Sequence, residues 1–129
     1  MADKKKILVV DDEIEFLEMI KLRLEANNYD VLTATDGEEA VRIVKKDKPS
    51  AILLDILMPG MDGLDVLKRL RKDDAKLPIF IITAFSNEER FKVANKLNAS
   101  GFIIKTSDLQ KEIQNITTAI GMAENYKGR

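Results

Sequence analysis

Five short apolar runs alternate along this chain with stretches whose apolar residues recur every three or four positions. Short apolar runs are typical of buried β-strands, and the longer spacing is typical of amphipathic helices. Regular alternation of the two predicts an α/β fold, in which helices cover both faces of a parallel sheet. We predict strands near residues 5–10, 30–35, 50–55, 78–83 and 101–105, and helices near 14–27, 37–47, 63–73, 87–97 and 107–124.

Several residues mark the ends of these helices. Asp36 followed three residues later by Glu39 predicts a capping box, and Asp62 predicts an N-cap for the third helix. Asn98 tolerates the left-handed conformation in which many helices end. In the first helix the spacing predicts a buried stripe made of Ile14, Leu17, Ile20 and Leu24.

Length and charge limit the classes of protein that fit. The 129 residues suit one domain, which we expect to span 1–129 with a core of about 5–122 and a frayed end beyond it. A net charge of −1 provides no global attraction for nucleic acid or anionic membrane, so neither is an expected partner. No apolar run is long enough for a membrane span or a secretory signal, and we expect a cytoplasmic location.

The chain contains no cysteine and no histidine. This composition excludes disulfides, thiolate catalysis, histidine-based triads and any role as a histidine phosphodonor. The remaining metal ligands are carboxylate and carbonyl oxygens, which favour Mg²⁺, Ca²⁺ or Mn²⁺.

Polar residues with reactive or charged groups follow four of the five predicted strands. They are Asp11 and Asp12 after the first strand, Asp55 after the third, Thr83 after the fourth and Lys105 after the fifth. In an open parallel sheet, ligands bind beyond the carboxyl ends of the strands, so these groups are expected in one crevice. Three neighbouring carboxylates repel each other unless a cation lies between them. The set suits phosphoryl transfer onto an aspartate.

The stretch 55–63 reads Asp-Ile-Leu-Met-Pro-Gly-Met-Asp-Gly. Together with the acid pair, Thr83 and Lys105, it resembles the receiver domain of two-component response regulators over about residues 5–122. The resemblance implies a flavodoxin-like, doubly wound sheet of five parallel strands in the order 2-1-3-4-5, with five helices. It also implies a signalling receiver rather than an enzyme. Such a receiver promotes only its own phosphorylation and slow dephosphorylation.

The resemblance further implies a role for each carboxylate. Asp55 would be the phosphoacceptor. Asp12 and Asp55 would bind Mg²⁺ directly together with the backbone carbonyl of Leu57, while Asp11 would act through water or as a second ligand.

Three other residues would sense the phosphoryl group. Lys105 would pair with one phosphoryl oxygen, and Thr83 would donate a hydrogen bond to another. Phe102 lies where the family carries its switch aromatic, and it would rotate inward when Thr83 moves towards the phosphoryl group. An ordinary core or edge aromatic is the alternative reading of Phe102.

The chain departs from the family after Lys105. Most receivers carry a proline there, usually after a cis bond, whereas this chain carries Thr106. A cis bond before a residue other than proline costs about 3 kcal/mol, so we expect a trans bond, or a strained cis bond if the site strongly demands it. Leu57 and Phe85 flank the path of hydrolytic water in the family, and their apolar side chains predict slow dephosphorylation.

We therefore expect a stand-alone receiver, monomeric or weakly dimeric, that accepts a phosphoryl group from a histidine kinase or phosphotransfer protein. An unknown protein target would bind its helix 4–strand 5–helix 5 face, which could include Lys92, Lys96, Phe102 and Lys111. Two alternatives are a phosphorelay intermediate, contacted around the first helix, and a pseudo-receiver that is not phosphorylated. An aspartate-nucleophile phosphatase fits poorly, because Leu57 stands where that mechanism needs a general acid.

Overall fold

The structure is a computed structural model, and it describes residues 5–56, 58, 62–83, 88–104 and 109–127. Within α5, side chains are described at 111 and 114–122. The strands are β1 (Lys6–Val10), β2 (Asp30–Ala34), β3 (Ala51–Asp55), β4 (Ile79–Thr83) and β5 (Gly101–Ile104). The helices are α1 (Ile14–Ala26), α2 (Gly37–Asp47), α3 (Gly63–Asp73), α4 (Glu88–Lys96) and α5 (Leu109–Lys127).

The five strands form one parallel sheet in the order β2-β1-β3-β4-β5, which confirms the predicted flavodoxin-like fold. Helices cover both faces of the sheet, and so the two faces of each central strand are apolar. Alternate residues of β1 illustrate this arrangement. Leu8 and Val10 pack with helices α2, α3 and α4, whereas Ile7 and Val9 pack with α1 and α5.

The predicted helix ends agree with the structure at the caps. The Asp36 carboxylate accepts a hydrogen bond from the Glu39 N–H at 2.8 Å, and the Asp62 carboxylate accepts one from the Leu64 N–H at 2.9 Å. Asn98 adopts a φ of 61°, the left-handed conformation expected of it. These contacts satisfy backbone groups that have no partner inside the helix.

Two expectations were wrong. Ile14 is 61% exposed, and Phe16 takes its place beside Leu17, Ile20 and Leu24 in the buried face of α1. At about 100° per residue, Ile14 points roughly 105° away from the centre of that face. In addition, α5 continues to Lys127, beyond its predicted end near 124, and no glycine or proline interrupts residues 122–127.

Candidate functional site

The three carboxylates come together beyond β1 and β3, as the sequence predicts. Val10 and Leu54 are register partners on these strands, so the next residues, Asp11 and Asp55, lie side by side. Carboxylate oxygens of Asp11, Asp12 and Asp55 all lie within 4.8 Å of one another. Asp11 and Asp55 are 1% and 4% exposed, whereas Asp12 is open to solvent. The group therefore has a buried floor and an accessible side.

Backbone contacts hold Asp11 in this position. Its N–H donates to the Ala34 carbonyl at 3.0 Å, which continues the β1–β2 pairing one residue beyond the strands. One of its carboxylate oxygens accepts the Glu13 N–H at 2.9 Å. The turn between β1 and α1 thus fixes the buried member of the acid pair and leaves Asp12 facing outward.

This donor set fits a small divalent cation. Mg²⁺ prefers oxygen ligands at about 2.1 Å, so two ligands on opposite sides of the ion are roughly 4.2 Å apart. The carboxylate oxygens of the three residues lie within 4.8 Å of one another, which is close to this separation. A divalent charge also offsets the mutual repulsion of three carboxylates. The expected carbonyl ligand, Leu57, lies outside the described residues.

Close packing at the start of α3 fixes the end of β3. A Cβ atom on Gly63 would lie 2.3 Å from the Ile56 Cα and 2.6 Å from the Asp55 carbonyl oxygen. Both neighbours are backbone atoms, which cannot move aside as a flexible side chain would. Glycine is therefore required for α3 to begin directly against the residue that carries the central carboxylate.

The other predicted site residues lie on β4 and β5. Thr83 is the last residue of β4, 1% exposed, and it follows Ile82, the register partner of Asp55. Phe102 on β5 is 38% exposed, and its ring packs against Phe91 of α4 with 5.0 Å between centroids. Lys105, Thr106 and Phe85 lie outside the described residues, as does the bond between the first two.

Two hydrogen bonds made by one arginine at this site were not predicted from the sequence. Arg90 of α4 donates through Nη2 to the Ile56 carbonyl at 3.0 Å and to the Asp62 carboxylate. Partial burial alone would raise the pKa of Asp62, but the hydrogen bonds from Arg90 and Leu64 and the charge of Arg90 lower it below its usual value. The sequence did contain a signal that Arg90 faces the protein, because Arg90 lies one helical turn before the buried Ala94.

Arg71 of α3 makes a second set of arginine hydrogen bonds, farther from the site. Its guanidinium donates to four backbone carbonyls: Leu97 at 3.2 Å, Asp74 at 3.1 Å, Leu77 at 2.6 Å and Asn98 at 2.7 Å. Burial lowers its pKa, and the nearby charge of Asp74 opposes that shift. Arg71 follows Leu67 by one turn, so the sequence signal was again a charged residue on an apolar stripe.

Exposed large apolar side chains occur on two surfaces of the described part of the chain. Four lie on the 4-5-5 face, which comprises α4, β5 and α5, and three lie on α1. The members are Val93, Phe102, Ile104 and Met122 on the 4-5-5 face, and Ile14, Met19 and Leu22 on α1. Exposed apolar side chains of this kind are candidates for an interaction site. The expected lysines of the 4-5-5 face, Lys92, Lys96 and Lys111, are also exposed.

Comparison with known proteins agrees with the fold and the acidic site. The family model described as the response regulator receiver domain matches residues 7–117. The alkaline phosphatase synthesis transcriptional regulatory protein PhoP of Bacillus subtilis is 41% identical over 101 residues, which cover 78% of this chain and 42% of PhoP. The chain spans about half the length of the curated relatives it matches.

Solved structures are similar over nearly the whole chain. A response regulator receiver domain protein from Clostridium thermocellum has a TM-score of 0.87 at 30% identity, covering 96% of this chain and 97% of that protein. The chemotaxis response regulator CheY4 of Vibrio cholerae has a TM-score of 0.81 at 27% identity, covering 90% and 98%. The chain belongs to the response regulator receiver domain family of two-component signalling.

Members of this family are signalling domains rather than classical enzymes, and they bind Mg²⁺ at an acidic pocket. They interact with histidine kinases and with downstream targets. Among the helices that the structure describes, none combines the length and the apolar character needed to cross a membrane.

Proposed function

We propose that Asp55 accepts a phosphoryl group from a histidine kinase or a phosphotransfer protein, and that this modification changes which protein the domain binds. The carboxylate cluster of Asp11, Asp12 and Asp55 at the ends of β1 and β3 carries the proposal. The buried carboxylate of Asp55 suits a nucleophile, and the exposed side of the cluster, at Asp12, is open to a bulky phosphodonor. We also propose that residues 1–129 form one receiver domain.

The transfer is a substitution at phosphorus. A carboxylate oxygen of Asp55 attacks the phosphorus atom, a new O–P bond forms, and the donor's N–P bond breaks with its electron pair returning to the imidazole nitrogen. The product is an acyl phosphate on Asp55, which water later hydrolyses to restore the carboxylate and release inorganic phosphate. The apolar residues Leu57 and Phe85 are proposed to keep that hydrolysis slow.

Asp12 and Asp55 are the proposed direct ligands of Mg²⁺ with the Leu57 carbonyl, and Asp11 is a second-sphere or additional ligand. The bound cation supplies positive charge against the carboxylate and the incoming phosphoryl group. Asp11 accepts a hydrogen bond from the Glu13 N–H, a contact within the turn after β1. Asp12 is exposed, which suits exchange of ligands with solvent.

Three residues are proposed to convert phosphorylation into a surface change. Lys105 pairs with a phosphoryl oxygen, Thr83 donates a hydrogen bond to another, and Phe102 moves inward. Phe102 is partly exposed and packed on Phe91, which is consistent with an outward position that it can leave. The proposed target surface is the 4-5-5 face, whose exposed apolar residues include Val93 and Ile104.

A second function, that of a phosphorelay intermediate, is supported by α1. Ile14, Met19 and Leu22 are exposed on this helix, and α1 begins directly after the acid pair. A phosphotransfer protein that docks there reaches the site without using the 4-5-5 face. Substituting Leu22 with Ser should then slow phosphoryl exchange with such a protein, whereas it should leave phosphorylation by acetyl phosphate unchanged.

The test of the leading proposal is intact-mass analysis after incubation with acetyl phosphate, with and without Mg²⁺. We expect one added phosphoryl group that requires Mg²⁺ and is absent in Asp55→Asn. Asp30→Asn is the matched control, because Asp30 is exposed at the opposite edge of the sheet, where β2 begins. Failure of the wild-type protein to gain mass would contradict the proposal, as would equal gain in Asp55→Asn.

A further inference from the structure

Arg90 contacts both ends of the connection between β3 and α3. Its Nη2 donates to the carbonyl of Ile56, the residue after Asp55, and to the carboxylate of Asp62, the N-cap of α3. The Arg90 side chain is 26% exposed and that of Asp62 is 41% exposed, so the ion pair is partly shielded from water. One side chain of α4 therefore joins two points that are six residues apart in the chain.

The same two acceptors also bind the first amides of α3. The Gly63 N–H donates to the Ile56 carbonyl at 3.3 Å, and the Leu64 N–H donates to the same Asp62 oxygen that accepts from Arg90. Each acceptor thus has one donor from α3 and one from α4. This shared arrangement fixes where the connection leaves β3 and where it enters α3.

The residue after Arg90 faces a different part of the molecule. The Phe91 ring packs on Phe102 of β5, with ring planes inclined at 54°. Consecutive residues of α4 therefore contact the connection beside Asp55 and the aromatic residue on β5. A small displacement at either contact must be accommodated by the same turn of helix.

We propose that Arg90 is a positioning residue for the phosphorylation site, and that it links the site to α4 by a route that does not involve Thr83. Arg90 holds the Ile56 carbonyl and the Asp62 carboxylate, which belong to described residues on either side of the position expected to supply the carbonyl ligand. The inference rests on the proposed function, because its effect is on Mg²⁺ binding and phosphorylation. By thermodynamic linkage, a partner that shifts α4 also changes the affinity of the site for Mg²⁺.

The test compares Arg90→Ala with Arg71→Ala. Arg71 is the matched control because it too joins α3 to the end of α4 through backbone carbonyls, but it donates to residues 74, 77, 97 and 98, away from the site. Two quantities are measured on the full chain: hydrogen exchange of the Gly63 and Leu64 amides without metal, and the Kd for Mg²⁺ by calorimetric titration. Urea unfolding confirms that each variant is folded.

We expect Arg90→Ala to raise exchange at both amides and to raise the Kd for Mg²⁺ about tenfold, since residues that orient metal ligands have effects of this size. Arg71→Ala should change the Kd less than about twofold, even though it lowers stability. Asp62→Asn is a milder second variant, because Asn keeps the cap acceptor for Leu64 but removes the charge that pairs with Arg90. It should shift the Kd in the same direction by a smaller factor.

Equal changes in Arg90→Ala and Arg71→Ala would overturn the proposal, because general loosening of α4 would then explain both. Unchanged exchange and unchanged Kd in Arg90→Ala would overturn it as well. Absence of Mg²⁺ binding by the wild-type protein would instead contradict the proposed function. The exchange measurement would then decide alone whether Arg90 orders this connection.

Discussion

Both the α3–α4 side of the molecule and the β5–α5 side pack on the sheet through apolar residues, and the α3–α4 side adds hydrogen bonds from two arginine side chains. On the first, guanidinium groups of Arg71 and Arg90 donate directional hydrogen bonds to backbone carbonyls. On the second, α5 packs on the sheet through the apolar side chains of Ile116 and Ile120. A groove of about 670 Å³ opens there, lined in part by Phe102 and Met122.

This difference separates fixed geometry from adaptable surface. Hydrogen bonds to backbone carbonyls depend strongly on angle and distance, so they hold a connection in one place. Apolar contacts are non-directional and allow side chains to repack at smaller cost. The α3–α4 side borders the carboxylate cluster, which needs fixed geometry. The β5–α5 side carries Phe102, whose proposed movement needs freedom.

The largest effect is expected from Gly63→Ala on the fixed side. The added Cβ meets two backbone atoms, so the start of α3 must move away from β3. We expect a loss of about 3 kcal/mol or more in the free energy of unfolding, at the upper end for overpacking. Urea denaturation measures this quantity.

Gly121→Ala on α5 is the matched control for that substitution. A Cβ there meets nothing within 4 Å, and alanine favours helix over glycine. We expect a gain of about 0.5–1 kcal/mol. Losses of similar size at Gly63 and Gly121 would contradict the distinction between the two sides.

Arg71→Ala should lower the free energy of unfolding by about 2–3 kcal/mol, because it leaves partly buried carbonyls of two loops without a charged donor. Arg69→Ala is the control on the same helix. Arg69 pairs with Glu38 at 3.6 Å on the surface, and its loss should cost less than about 1 kcal/mol. Chemical denaturation of both variants makes the comparison, and equal losses would refute the role given to Arg71.

The ring contact between Phe91 and Phe102 connects the two sides and can be isolated by a double-mutant cycle. Alanine is introduced at each position and at both, and unfolding free energies are compared. We expect a coupling of about 0.5–1.5 kcal/mol, the range for tilted aromatic pairs. Additive losses would show that β5 and α4 are energetically independent at this point.

The smallest effect is a pH dependence on the fixed side. Because the pKa of Asp62 is lowered in the folded state, its stabilising contribution is present above the unfolded-state pKa and is lost as pH falls through the folded-state value. Urea midpoints of the wild-type protein should therefore drop more between pH 6 and pH 3 than those of Asp62→Asn. An equal drop in both would contradict this assignment.

Much of the fold could be predicted because local patterns agree with the global arrangement. Apolar runs identified all five strands, and Asp36, Asp62 and Asn98 marked helix ends correctly. Strand-end carboxylates predicted the acidic cluster because parallel strands bring their ends together. The prediction that Ile14 is buried was wrong because it rested on the three-residue spacing to Leu17 and ignored the direction in which Ile14 points from the helix axis.

The arginine contacts could not be predicted in the same way. Arg71 and Arg90 bind backbone carbonyls that are distant in sequence, and sequence periodicity contains no information on such partners. The only local signal was a charged residue on an apolar stripe. The close contact of Gly63 with Ile56 likewise depends on how α3 meets β3, which a sequence pattern does not specify.

The most direct measurement identifies which carboxylate becomes an acyl phosphate. After treatment with acetyl phosphate and Mg²⁺, borohydride reduces an acyl phosphate to an alcohol, and peptide mass spectrometry locates the reduced side chain. Reduction at position 55 alone, dependent on Mg²⁺, is the predicted result. Reduction at position 11 or 12, or at no position, would contradict the assignment of Asp55 as the phosphoacceptor.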